Sequence, residues 1–255
     1  MTTLADYQQG WSHIAVEDLG QGVLELRMHT DGGPLVWAGP PHRELPELFA
    51  AIAADRDIRV VILTGTGEHF ITFAPKGARA MAERGVPAGA WDRVLWEGKR
   101  LVMNYLDIDV PVIAAVNGPA VAHSELAMLA DVVLASETAT FQDGPHFPSG
   151  LVPGDSMQII WPLLLGHNRG RYFLLTGQEL SAREAHALGV VGEVLPPDGL
   201  MPRARELAAQ LAARDPHLLR MTRHVLTHRL KKVMLEELEM GLAVEGLVAA
   251  APRSG

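Results

Sequence analysis

The sequence of 255 residues predicts an α/β fold, on three observations. Short β-branched runs closed by Gly or Pro alternate with stretches of helical periodicity. Most of these runs are apolar throughout, as strands buried on both faces are. After Ser156 the chain turns mostly helical, which suits a core of strands and helices with a helical region behind it.

Each element follows from its local pattern. Residues 22–28 alternate apolar and polar side chains and read as a half-buried strand. Residues 44–54 carry Leu45, Leu48, Phe49 and Ile52 at helical spacing. Residues 59–64 form a β-branched strand that ends in the turn Gly65-Thr66-Gly67. Residues 91–106 suit a helix, and residues 110–116 a buried strand entered through Pro111 and stopped by Asn117-Gly118-Pro119. A short helix over 125–130 and a strand over 131–135 follow. Residues 182–188 and 202–213 are the clearest later helices, and 217–251 suits one or two longer ones. A boundary near Pro196-Pro197 divides the chain into a core, 1–195, and a helical region, 196–255.

Composition excludes several functions. Hydrophobic residues make up 48% and charged residues 20%, which is the balance of a packed protein rather than a disordered one. The net charge of −8 argues against a nucleic-acid partner, since phosphate binding needs clustered Lys and Arg. The one basic run, 220–232, is mixed with apolar residues and reads as a solvated helix face. The chain has no cysteine, so disulfides, thiolate nucleophiles and Cys-type metal sites are excluded. Residues 1–10 carry no signal-peptide pattern, and no apolar run reaches the roughly 18 residues a membrane span needs. A cytoplasmic protein with no membrane partner is expected.

The chemistry concentrates in histidine. Of the eleven, His13, His29, His42, His69, His167, His186 and His217 sit among polar neighbours and read as surface or capping residues. His224 and His228 share a helix face at a metal-ligand spacing, but Arg223 and Arg229 beside them would repel a cation. His123 follows Asn117-Gly118-Pro119 just ahead of a helix, where it either caps that helix or faces an anion site. The loop from Phe141 to Asp155 is too rich in Gly and Pro for a helix or central strand, and it offers His146 and Asp155. An imidazole is a good general base at neutral pH, and a carboxylate on its other nitrogen would fix its tautomer. No Gly-x-Ser-x-Gly elbow, P-loop or dinucleotide fingerprint is present.

The chain resembles the crotonase (enoyl-CoA hydratase/isomerase) superfamily. Four stretches carry the likeness: Val60-Val61-Ile62-Leu63-Thr64-Gly65 with Phe70; Pro111-Val112-Ile113-Ala114-Ala115-Val116-Asn117-Gly118; Glu125-Leu126-Ala127-Met128 with Asp131; and Leu174-Leu175-Thr176-Gly177 with Ala182, Ala185, Leu188 and Gly189. The resemblance implies a spiral of ββα turns with a helical C-terminal region that builds homo-trimers, often paired into homo-hexamers. The chain departs from CoA-handling members in two places. Their glycine run is Ala122-His123-Ser124 here, and Pro145 is followed by His146 instead of their second catalytic glutamate. The first hydratase glutamate survives as Glu125, and an oxyanion donor falls near Ala74, next to Pro75.

These departures resemble β-diketone hydrolases of the 6-oxocamphor hydrolase type, through Leu35-Val36-Trp37, His123, the long loop ending in Val152-Pro153-Gly154-Asp155, and Gly241-Leu242-Ala243 with Glu245. That likeness implies a hydrolase cleaving a C–C bond of a cyclic β-diketone by a retro-Claisen reaction to a keto acid, with no cofactor and no metal. His146 oriented by Asp155 would be the base. His123 and the Trp37 indole would bind the developing oxyanion, and Glu245 would support them or handle a proton. Thr72, Phe73, Leu151 and Trp96 are expected to line the pocket. The alternative is an enoyl-CoA hydratase or isomerase using Glu125, with the basic run greeting CoA phosphates.

Overall fold

Six strands form the central sheet of the computed structural model, which describes residues 2–74, 76 and 84–251. They are β1 (Ile14–Asp18), β2 (Val23–Met28), β4 (Val60–Thr64), β6 (Val112–Val116), β7 (Val132–Ser136) and β10 (Glu193–Leu195), side by side in that order. β1 and β2 pair antiparallel, and every later neighbour is parallel. Between them, short strands build a second ladder. β3 (Val36–Trp37) pairs in parallel with β5 (Thr72–Phe73), and Ile71, Ala120 and Phe141 continue it as bridges. β8 (Thr140–Phe141) then pairs with β9 (Leu180–Ser181). The helices are α1 (Leu4–Tyr7), α2 (Gly39–Ala54), α3 (Ala88–Asp107), α4 (Glu125–Met128), α5 (Met157–Leu165), α6 (His167–Thr176), α7 (Ala182–Ala187), α8 (Pro197–Ala212) and α9 (Pro216–Ala250). Long strand, short strand and helix recur in turn, which is the expected ββα spiral with a helical end. Pro75 lies outside the described residues, as does the stretch of the expected helical region from 252 onwards.

Burial on both faces explains the apolar strand runs. Leu63, Val112 and Ala114 belong to one core with Phe49 of α2 and Tyr105 of α3. Ile62, Ile113 and Ala115 pack on the other side against Leu200, Ala204 and Ala208 of α8. α8 covers this second face. The alternation in residues 22–28 does not mark a half-buried strand: Glu25 is fully buried. Its carboxylate is paired with Arg27 of its own strand and Arg205 of α8, so a charge sits where a solvent face was expected.

The stretch expected as one or two helices is one, α9, of 35 residues. Its basic run is a solvated face only in part: Arg229 and Lys232 are exposed, whereas Arg220 and Arg223 are buried. Arg220 is buried against Asp109 and the carbonyls of Arg56 and Ile58, and Arg223 donates to Asp131 (2.6 Å) and to the Leu106 carbonyl (3.1 Å). These arginines dock the helix and are not free for phosphates. Farther along, α9 touches the loop before α5 backbone to backbone. A Cβ on Gly154 would stand 2.2 Å from the Gly241 carbonyl oxygen, and one on Gly241 would stand 2.4 Å from that of Gly154. Only glycine at both positions permits this approach, and one helical turn on it delivers Glu245 to the loop.

Gly154→Ala should therefore cost about 1–3 kcal/mol, as overpacking does, and lower Tm by several degrees in calorimetry. Gly39→Ala is the control, because nothing lies within 4 Å of its added carbon. Equal Tm values for the two variants would contradict the proposed backbone contact.

Candidate active site

The two ladders end on one side of the sheet, and their connections build a cavity of about 460 Å³. Asn117 fixes the loops there. Its Oδ1 accepts from the Gly65 N–H (3.0 Å), and its Nδ2 donates to the Gly67 and His69 carbonyls (2.9 and 3.1 Å). The chain then pairs with the short ladder through Ala120 and Val121 and turns sharply at His123, whose φ of +45° lies in the left-handed region. That turn directs the imidazole into the cavity instead of along α4. The next loop is held by the same ladder, with the Gln142 and Gly144 N–H groups donating to the carbonyls of Ala120 and Val121. A tight turn follows, in which the N–H groups of Ser149 and Leu151 donate to the His146 carbonyl (both 2.9 Å).

The structure brings His123, His146, Asp155, Glu245 and Trp37 together around this cavity, and each of the first four is buried. Trp37 lies over the His123 ring, with centroids 3.8 Å apart. Phe73, Trp91, Leu151 and Leu242 supply apolar wall. Of the other expected lining residues, Thr72 is absent from the wall, and Trp96 is exposed and instead carries the Arg100 guanidinium over its ring.

The pairing of the groups differs from expectation. Nδ1 of His146 is held by Asp143, at 2.5 Å, not by Asp155. Asp155 Oδ2 lies on the other side of the ring, 3.4 Å from Nε2, and Glu245 Oε1 lies 3.6 Å from the same nitrogen. Asp155 Oδ2 is also 3.4 Å from Nδ1 of His123, so it stands between the two rings. Glu125, fully buried and outside the cavity wall, binds Nδ1 of His123 at 2.6 Å. It touches the imidazole and not the cavity, where the hydratase alternative places it. The carboxyl groups of Asp143 and Glu125 each occupy an Nδ1, and each Nε2 is left to act elsewhere.

His42 corrects the sequence reading as well. It lines the cavity with its ring edge 5.8 Å from Trp37, and its Nδ1 binds the buried Glu97 at 3.0 Å. Nothing in the sequence marks this pair, because α2 and α3 bring together residues 55 positions apart. Asp143 did leave a signal: it precedes His146 by three residues in the loop that carries the chemistry.

Burial and charge divide the roles. Burial alone would push His146 down, but Asp143 and then Asp155 outweigh it and hold the ring well above its ordinary value of 6.5. His123 is raised in the same way, burial being overcome by Glu125 and Asp155. Burial would raise Asp155, yet the His146 and His123 charges keep it far below the usual carboxylate range. Burial raises Glu125 and Glu245 and their histidine neighbours do not reverse it. Burial, reinforced by the charge of His123, lowers His42 and keeps it neutral.

Comparison with known proteins agrees with this architecture. The family described as Enoyl-CoA hydratase/isomerase matches residues 41–246. The Bacillus subtilis (strain 168) protein YngF, described as an enoyl-CoA hydratase/isomerase, is 34% identical over 209 residues, covering 80% of this chain and 75% of that one. Carnitinyl-CoA dehydratase of Citrobacter koseri is 36% identical over 174 residues, and the match spans 68% of this chain and 65% of the relative. Among solved structures, ABDH, a β-diketone hydrolase from the cyanobacterium Anabaena sp. PCC 7120 bound to (S)-3-oxocyclohexyl acetic acid, superposes with a TM-score of 0.89. It is 46% identical, over 94% of this chain and 95% of that one.

The electrostatic arrangement predicts opposite titrations for two histidines of one cavity. In NMR of ring nitrogens, His146 should release its proton above pH 6.5 and His42 below it. Asp143→Asn should bring the His146 midpoint down. A His146 midpoint at or under the ordinary value would refute the paired-carboxylate description.

Proposed function

The chain belongs to the enoyl-CoA hydratase/isomerase family, and from that premise we propose that it hydrolyses a carbon–carbon bond of a cyclic β-diketone, a bicyclic one by preference, to a keto acid by a retro-Claisen reaction. The observation that carries this reading is the convergence of His146 Nε2, Asp155 and His123 in a cavity whose wall also has a large apolar part. Glu125, the glutamate that the hydratase alternative needs, does not line that space. The likeness to a β-diketone hydrolase supports the same reading.

In the proposed reaction His146, its Nδ1–H anchored on Asp143, takes a proton through Nε2 from a water held against Asp155. The hydroxide attacks one carbonyl carbon, and the tetrahedral oxyanion is met by the Trp37 indole N–H and by His123, each donor contributing roughly 3 kcal/mol. Collapse breaks the ring C–C bond, and its electron pair goes to the second carbonyl as an enolate. Glu245, whose carboxyl group burial pushes above its ordinary value, is assigned the relay of the proton from His146 to the enolate carbon. Water is thereby divided between the new carboxyl group and the new C–H bond. The second carbonyl is the electron sink, so the reaction asks for no other electron acceptor.

Self-association is proposed alongside. Leu218, Met221 and Val225 are exposed along one stripe of α9, and Tyr172 and Leu175 are exposed on α6. Contiguous apolar surface of this kind marks protein interfaces. Sedimentation is expected to give a trimer or hexamer; a monomer at micromolar concentration would remove this part of the reading.

The activity test incubates the protein with a bicyclic diketone panel and no additions, and looks for a mass gain of one water. His146→Ala and Asp155→Asn should each lower turnover by roughly 10²- to 10⁴-fold, the usual value of a positioned base. Losses below tenfold in both, with the fold intact, would eliminate this mechanism. Because His146 must be neutral to act, the rate should climb with pH through its raised titration, above 6.5. In a parallel arm, crotonyl-CoA should not be turned over. Hydration there without diketone cleavage would favour the CoA-thioester alternative.

A further inference from the structure

Three donor atoms, two on the cavity wall and one on Glu125 behind it, stand close together. Nδ1 of His123, a carboxylate oxygen of Glu125 and one of Asp155 all lie within 4.8 Å of one another. Each residue is more than nine-tenths buried, at 7%, 0% and 8% exposed respectively. The second oxygens, Glu125 Oε2 and Asp155 Oδ1, are buried and accept no hydrogen bond. An oxygen stripped of water with no donor in its place is unfavourable, and more so when charged. Among the described residues no Lys or Arg lines the cavity, so no fixed cation answers these oxygens.

The donor set and spacing suit one kind of ligand. We propose that His123, Glu125 and Asp155 form a binding site for a divalent transition-metal ion of the Zn²⁺ or Co²⁺ type, entered from the cavity, and that the bound ion inhibits the enzyme. An imidazole with two carboxylates matches such ions, whereas Mg²⁺ and Ca²⁺ take oxygen ligands alone. Ligands 2.0–2.1 Å from a tetrahedral ion stand roughly 3.3 Å apart. Nδ1 of His123 and Asp155 Oδ2 already stand at 3.4 Å. The His123–Glu125 contact, 2.6 Å as a hydrogen bond, opens by roughly 0.7 Å when the ion replaces the shared proton. One proton leaves for each ion bound, so uptake strengthens as pH rises. On its far side Asp155 Oδ2 faces His146 Nε2 at 3.4 Å, a contact that orients the carboxylate as outer partners of metal ligands do. Three protein ligands leave the remaining positions open towards the cavity, where substrate would otherwise lie.

Inhibition rests on the proposed function, because it follows from the ion occupying His123 and Asp155; binding does not. The test titrates the intact protein with Co²⁺ and records visible absorption, with Zn²⁺ stoichiometry from equilibrium dialysis. One equivalent is expected to bind, with a tetrahedral or five-coordinate cobalt spectrum and quenching of Trp37, which stacks on His123. The near-isosteric Glu125→Gln and Asp155→Asn variants, their folding checked by near-ultraviolet circular dichroism, should each weaken uptake at least tenfold. The pair His224→Ala and His228→Ala removes the other histidine couple, whose rings are 6.5 Å apart on α9, and should leave uptake unchanged. Failure to bind either ion would overturn the proposal, as would uptake that survives Glu125→Gln or is lost with His224 and His228. Diketone turnover, where present, should fall with Zn²⁺ and return with a chelator. If no diketone is cleaved at all, the hydrolase reading fails while the cobalt result still decides the metal site.

Discussion

Two short hydrogen bonds, His146 to Asp143 and His123 to Glu125, govern what this cavity can do. Each ties an imidazole by Nδ1 to a carboxyl group that is itself buried, so neither ring can rotate without breaking a buried hydrogen bond. The Nε2 atom of His146 is left facing Asp155 and Glu245. Reactivity thus depends less on the presence of histidine than on which nitrogen has already been taken.

The scaffold makes those two bonds possible by close backbone contact. Asn117 joins the ends of β4 and β6, and the short ladder carries the chain from Ala120 to the turn at His123. The approach of Gly154 to Gly241 lays α9 on the loop, and the arginines of the same helix anchor it to the far end of the core. Glu245 therefore reaches the cavity from a residue distant in sequence, on a helix whose placement is set by buried ion pairs and two glycines.

Several carboxylates around few counter-charges is a costly arrangement in a buried space, and the molecule meets the cost by pairing. Asp155 is shared between two imidazoles, Glu125 and Glu245 are driven towards their neutral forms, and His42 stays neutral beside Glu97. A proton, a polarised substrate or a small cation are alternative answers to the same electrostatic demand. This is why one cluster supports both a hydrolytic reading and a metal-binding one.

The alternation of buried strands and helices was legible because β-branched runs and helical periodicity report burial directly, and His123 and His146 were legible because they sit on loops whose glycines and prolines admit no regular element, whereas Trp37 and Glu245 came only from the family likeness and His42 was read as a surface residue. Glu25 shows the limit of that reading: alternation suggested a solvent face, and a helix far along the chain covered it instead. The sequence by itself determined the fold class and the stock of chemical groups. The tertiary structure alone decided their partners, giving Asp143 rather than Asp155 to Nδ1 of His146 and drawing His42 and Glu97 into the wall. The reason is physical: local pattern encodes how a residue is buried, whereas the atom an imidazole nitrogen meets depends on ring orientation, on the left-handed turn at His123, and on elements that only packing brings together.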